Sequence, residues 1–186
     1  MLLISKTKTN SMKNFVLSLV TILLASSGAF AQASSTGADK VYKHSGETLD
    51  VKVEKVGETT ITFKYPGEDA EQVIGKLAVA KIVYSSGRTE QVSDKIDITS
   101  KDDWEKVQII SDPSQVLGLK KGDEVRGKTS GMFSYNSAGS ADKKATRKIK
   151  EAAAEAGAPY VLLTSDKADG FGVKQSIKNG VLYTYK

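Results

Sequence analysis

Leu49-Asp50-Val51-Lys52-Val53-Glu54-Lys55-Val56-Gly57-Glu58-Thr59-Thr60-Ile61-Thr62-Phe63-Lys64-Tyr65 is the stretch that decides the fold. Leu49, Val51 and Val53 alternate with Asp50, Lys52 and Glu54, and Ile61, Phe63 and Tyr65 alternate with Thr60, Thr62 and Lys64. A strand sends successive side chains to opposite faces, so a period of two predicts two strands with one buried and one wet face. Gly57-Glu58 predicts a tight turn between them, and Pro66-Gly67 ends the second. Further along, Gln72–Ile74 reads as a third strand. Ile82-Val83-Tyr84, then Ser85-Ser86-Gly87, then Arg88–Val92 read as another hairpin. Short strands with tight turns and no helix between Val41 and Ile98 predict a small barrel or a strongly bent sheet.

The runs Asp39-Lys40-Val41, Gly46–Val53, Thr60–Tyr65 and Ala80–Gly87 follow one order: glycine-bearing turn, strand, hairpin, strand, then I-x-Y-x-x-G. In this the chain resembles a module of exported proteins of Gram-negative bacteria. The resemblance covers about a third of the chain and implies a small SH3-like β unit, with no particular activity attached.

Beyond it, Asp97 to Asp103 is a polar connector, and Trp104–Ile110 is predicted as a strand opening a second unit. Gly122 to Lys128 reads as a strand, and Thr129 to Ser140 as a loop of small residues. Ala141 to Ala156 is the one clear helix: Ser140 is placed to cap it, Asp142 falls in its first turn, Gly157 fits the C′ position and Pro159 follows. Ala145, Ile149, Ala152, Ala153 and Ala156 form an apolar stripe at helical spacing. Most of these side chains are single methyl groups, so the helix must lie close to its sheet. Tyr160–Thr164 reads as a central strand. Val173–Ile177 and Val181–Tyr185 flank Asn179-Gly180, which predicts a type I′ hairpin. The run from Ala145 through Gly157-Ala158-Pro159-Tyr160-Val161 is similar to the βαβ domains of the Rcs envelope-stress sensor lipoprotein and the YbjQ-like family. That resemblance spans about twenty residues and implies a βαβ fold. The sensor relies on a lipidated cysteine and disulfides, and this chain contains no cysteine.

The N-terminus has the three parts of an export signal. Lys6, Lys8 and Lys13 precede the apolar run Phe15–Leu24, and Ala29-Phe30-Ala31 supplies an A-x-A cleavage site. No acidic residue occurs before Asp39. The ten-residue run is too short for a membrane span, which needs about twenty. Cleavage after Ala31 leaves Gln32 first, and Ala31-Gln32-Ala33 offers Ser34 as a second start. Either Met1 or Met12 suits the opening of such a signal. We expect a periplasmic or secreted protein that does not span the membrane after cleavage.

Losing the three lysines of the signal lowers the formal charge from +5 to +2. A nucleic-acid partner is therefore not expected, because such domains are usually strongly basic. The absence of cysteine excludes both disulfides and a lipid anchor on that residue.

Gly122-Asp123-Glu124-Val125-Arg126-Gly127-Lys128-Thr129 matches the P-loop pattern letter for letter. A P-loop must open a helix at its Lys-Thr so that backbone N–H groups cradle phosphates. Here Ser130-Gly131-Met132 follow, and Asp123 and Glu124 put carboxylates where phosphates belong. The match is read as accidental, with no nucleotide. His44 is the only histidine, so any Ser–His chemistry or zinc site would run through it. Its place in Tyr42-Lys43-His44-Ser45-Gly46 predicts a surface turn. Asp94, Asp97, Asp102, Asp103 and Glu105 follow no calcium-loop pattern and read as a solvated linker. No metal or cofactor is expected. Two sets of residues stand out as candidate contacts. Lys143, Lys144, Arg147, Lys148 and Lys150 crowd the first half of the helix, against the preference of its dipole. Phe133, Tyr135 and Phe171 lie in glycine-bearing loops, where an aromatic has no automatic place in a core.

The expected fold is α+β and mostly β. An SH3-like barrel or bent sheet (40–98) precedes an α+β unit (99–186) with an antiparallel-rich sheet and one amphipathic helix. Residues 1–31 are the signal peptide and 32–39 a flexible lead-in. The expected function is a non-enzymatic interaction or sensing module of the cell envelope, its partner an envelope protein or an anionic surface. One alternative is a binder of an anionic envelope component through the basic helix face. Another is an exported hydrolase whose carboxylate site has no visible pattern.

Overall fold

The alternation in Leu49–Tyr65 builds one face of an antiparallel sheet. Strands β1 (Asp39–Lys43), β2 (Thr48–Val56), β3 (Thr60–Lys64), β4 (Glu71–Gly75), β5 (Val79–Val83) and β6 (Thr89–Gln91) lie in the order β4-β3-β2-β1-β5-β6. The computed structural model describes residues 37–129, 138–169 and 175–186. The signal peptide, residues 32–36 of the lead-in, Phe133, Tyr135 and Phe171 lie outside the described residues. Val41, Val51, Ile61, Phe63, Ile74, Val79 and Ile82 are buried together on one face. Each such burial stabilises by roughly 1.5–3 kcal/mol.

The phase of that alternation changes once. Val53 pairs with Phe63 but Lys55 pairs with Thr62, so Glu54 is an extra residue in β2. After this bulge Val56, not an odd-numbered residue, packs against the core. Bulges bend and twist a strand, and a second irregularity lies at Tyr42/Lys43 where β1 meets β5. The sheet is bent and has two edges, β4 and β6, so it is not a closed barrel. Asp39, which the composition assigns to the lead-in, begins β1 and is buried. Its carboxylate accepts hydrogen bonds from Val53 N–H at 2.9 Å and Ser85 N–H at 2.8 Å. Tyr65 lies beyond β3 and is exposed, its ring edge-on to Phe63.

The second sheet has the order β7-β9-β10-β8, from β7 (Gln108–Ile110), β8 (Lys120–Lys128), β9 (Tyr160–Asp169) and β10 (Gln175–Thr184). β7 runs parallel to β9, and β10 is antiparallel to both neighbours. The helix α1 (Ala138–Glu155) connects β8 to β9, and β10 fills the place between them, which makes a split β-α-β unit. Ala145, Ile149, Ala153 and Ala154 of α1 are buried with Val107, Val161 and Leu182. Gly127 permits the close approach that the alanines require: a Cβ there would stand 2.3 Å from Ala145 O. The helix ends as expected. Gly157 has φ +67°, its N–H donates to Ala154 O, and Ala158 N–H donates to Ala153 O, a Schellman motif.

Four expectations need correction. Trp104 is not in a strand. Lys101–Lys106 form a short 3-10 helix, because the Asp103 side chain and Ser100 close a capping box, and only Gln108–Ile110 pair as β7. Asn179-Gly180 is not a turn. β10 continues through it with a bulge, and Gly180 is required there because a Cβ would stand 2.6 Å from Val161 Cγ1. α1 starts at Ala138, so Ser140 is inside the helix and Asp142 is past the first turn. Ala156 is exposed, and Ala154 takes its place in the buried stripe.

Residues 36–186 form one compact unit. The two sheets meet where Gly75 N–H donates to Leu117 O at 2.9 Å and Ile96 N–H donates to the Tyr185 hydroxyl at 3.0 Å. Among the described residues no helix is long and apolar enough to cross a membrane.

Candidate functional site

Helical spacing divides the basic residues of α1 into two rows. Lys143, Arg147 and Lys150 line a groove of about 350 Å³ that also contains Trp104, Asp142 and Thr146. Lys144, Arg147 and Lys148 line a second groove, of about 310 Å³, with Thr129 and Glu151. Arg147 is the ridge shared by both. Lys143, Lys144, Arg147 and Lys148 are exposed, and Lys150 is half-buried.

Arg147 is held in place. Its Nε donates to Glu151 Oε1 at 2.7 Å, and its guanidinium carbon lies 4.9 Å from the centre of the Trp104 ring. Such cation–π contacts contribute about 0.5–1 kcal/mol at exposed sites. The terminal nitrogens of Arg147 have no partner among the described residues. Lys148 donates to Lys128 O at 2.9 Å, which ties α1 to the end of β8. Lys143, Lys144 and Lys150 have no carboxylate partner among the described residues. The face is therefore a fixed arginine among lysines whose charge is not cancelled locally.

Beside the first groove lies an ion cluster that sequence reasoning missed. Lys178, in β10, is buried, and its Nζ stands 2.8 Å from Asp142 Oδ1 and 2.5 Å from Asp166 Oδ2. Burial works to lower the Lys178 ammonium, but hydrogen bonds and charges from the two aspartates outweigh it and hold the amine above its ordinary range. The hydrogen bond from Lys178 holds Asp142 below the usual carboxylate range. Ser176 Oγ also donates to Asp142 Oδ1, at 3.2 Å. The only signal for this cluster was a lysine in what looked like a turn. Its partners are distant in sequence and on other elements.

Trp104 was also missed. It is the only tryptophan of the chain, but the strand assignment gave it no part in a site. The 3-10 helix instead sets it, half-buried, beside α1.

His44 is not a free surface residue. It is half-buried, its ring centre is 5.0 Å from that of Tyr185, and its Nε2 lies 2.9 Å from Ser93 Oγ. The pair does not have the polarity of a nucleophile and its base. The hydroxyl proton of Ser93 goes to Val79 O at 2.8 Å, so His44 Nε2–H is the donor toward Ser93. Burial, and then the charge of Lys95, push His44 below the usual imidazole range, while Asp94 and Asp97 pull it back. The Tyr160 and Tyr185 hydroxyls are 3.0 Å apart, and burial pushes Tyr160 well above the phenol range. These groups join the two sheets.

Gly122–Lys128 of the pattern lies in β8 and pairs with β10, Val125 opposite Gly180 and Lys128 opposite Ile177. Thr129 is buried, and its N–H donates to Ser176 O at 3.1 Å. The second glycine of the pattern faces Ala145 of the helix rather than an open cradle. Asp103 accepts from Thr99 and Ser100 and pairs with Lys106 at 2.6 Å; the Lys106 hydrogen bond and then the Thr99 bonds hold it far below the usual range. Among the described residues no three histidine or carboxylate groups converge as metal ligands.

No protein-family model, no curated protein and no solved structure matches this chain.

Proposed function

We propose that this protein is an exported binding module of the cell envelope that engages an anionic envelope component through the basic face of α1. The observation that carries it is the ridge at Arg147: a guanidinium anchored by Glu151 and Trp104, with lysines lacking local carboxylate partners on both sides. A fixed cluster of one sign attracts a polyanion and speeds its encounter, even on a chain of small net charge. The basic start, apolar run and A-x-A site of residues 1–31 support export to the periplasm or beyond. The likeness of the N-terminal half to exported β modules supports the same address.

Retention of the purified chain on immobilised dextran sulfate, measured against salt, tests this. The wild type should bind and elute as salt screens the contact. Lys144→Glu, Arg147→Glu and Lys148→Glu together should weaken retention by about tenfold or more, with the far-UV spectrum unchanged. Equal retention of the triple variant would remove the helix face from the function.

A further inference from the structure

We propose that the groove between Trp104 and the Lys143–Arg147–Lys150 row is a subsite for an acidic sugar residue of an envelope glycan. This rests on the reading of α1 as an anion-binding face, and it names the ligand class. Three kinds of group meet there, and a ring bearing both hydroxyls and a carboxylate uses all of them. The Trp104 ring lines the groove, packed on one side against the core and partly covered by Arg147, so a sugar ring would meet the part of the indole that the arginine leaves open. The unpartnered terminal nitrogens of Arg147 match the two oxygens of a carboxylate. Asp142 and Thr146 supply acceptors for sugar hydroxyls. Asp142 stays an ionised acceptor because Lys178 holds it from the sheet side.

A bare phosphate would have no use for the tryptophan or for the acceptors of Asp142 and Thr146. A membrane surface fits less well for a different reason. Interfacial helices insert large apolar side chains, and among the described residues the exposed ones are Tyr65, Val73 and Leu117, none of them on α1. The groove, about 350 Å³, is of a size for one or two sugar rings, at the small end of ligand pockets.

Trp104 is the sole tryptophan, so its fluorescence reports on this groove alone. The purified chain is titrated with trigalacturonic acid, with maltotriose as the neutral control and with phosphatidylglycerol vesicles. The expected result is a saturable change with trigalacturonic acid and at least about tenfold weaker binding of maltotriose. By calorimetry, Arg147→Lys, which keeps the charge but loses the fork, should weaken trigalacturonic acid about tenfold. Trp104→Phe should weaken it less, and Trp104→Ala more. Circular dichroism and melting identify any variant that has not folded, and Arg147→Lys, an exposed change, keeps the test decisive if both Trp104 variants fail. Retention on dextran sulfate without a trigalacturonic acid response overturns the sugar subsite and leaves the anion-binding face standing. Loss of both overturns both. A tryptophan response to vesicles alone overturns the sugar in favour of lipid.

Discussion

The two sheets reach a buried core by opposite means. The six-stranded sheet fills its interior with large side chains, Val41, Val51, Ile61, Phe63 and Ile82 among them, placed by alternation. The four-stranded sheet brings a helix in by removing side chains: Gly127 under Ala145, and Ala153 and Ala154 beside Val161 and Leu182. The first core should be most sensitive to deletion, and the helix–sheet contact of the second to addition at Gly127. The difference also bears on function. A helix pinned by backbone contact on its inner face is a rigid support for its outer face, where the basic row and Trp104 lie.

The comparison can be broken most directly by deletion in the first core. Ile61 is fully buried, and Ile61→Ala should cost about 2–5 kcal/mol in urea or thermal unfolding. A cost under about 1 kcal/mol would mean that this core repacks freely. The reverse test is Gly127→Ala. Adding one methyl against Ala145 O should cost about 1–3 kcal/mol and should shift α1 away from the sheet, which a lowered melting temperature and faster amide exchange in α1 would record. An unchanged melting temperature would contradict the close approach. The smallest effect is expected at the joint between the sheets. His44 has a lowered pKa, so the unfolded chain takes up a proton near the ordinary value of about 6.5 before the folded chain does. Stability should therefore fall as pH drops below about 6.5, toward the lowered value, and the fall should shrink in His44→Gln. Equal pH dependence of the two proteins would assign the effect to another group.

How far the sequence could be read follows from the same contrast. The strands β2–β6 were legible because a one-sided sheet imposes a period of two that nearest neighbours reveal. The Glu54 bulge was not legible, because an extra residue is defined only by its partner strand. Asn179-Gly180 carried a strong local turn signal, yet β10 runs through it: pairing on both sides, with β8 and β9, outweighs the preference of two residues. Trp104 was misplaced for a related reason. Gln108–Ile110 does enter the sheet, but the Ser100–Asp103 cap turns the preceding residues into a 3-10 helix. Of the candidate site, the five basic residues were legible as a charge row, and Phe133, Tyr135 and Phe171 lie outside the described residues. The two-groove arrangement around Arg147 was not legible, since Trp104 comes from an element remote from α1 in sequence and Thr129 is set beside the helix by its bonds to Ser176 of β10.

Sequence alone determined the mostly β α+β class, the amphipathic helix with its Gly157 end, and the concentration of positive charge along that helix. These are local properties, set by periodicity, capping and composition within a few residues. Tertiary structure alone decided that Gly127 and Gly180 are packing residues rather than parts of a P-loop and a turn. It also decided that Lys178 is clasped by Asp142 and Asp166, and that Trp104 stands beside Arg147. Each of these depends on which strand or helix comes to lie within a few ångströms, and that is settled by the burial of the whole unit rather than by any single stretch of chain.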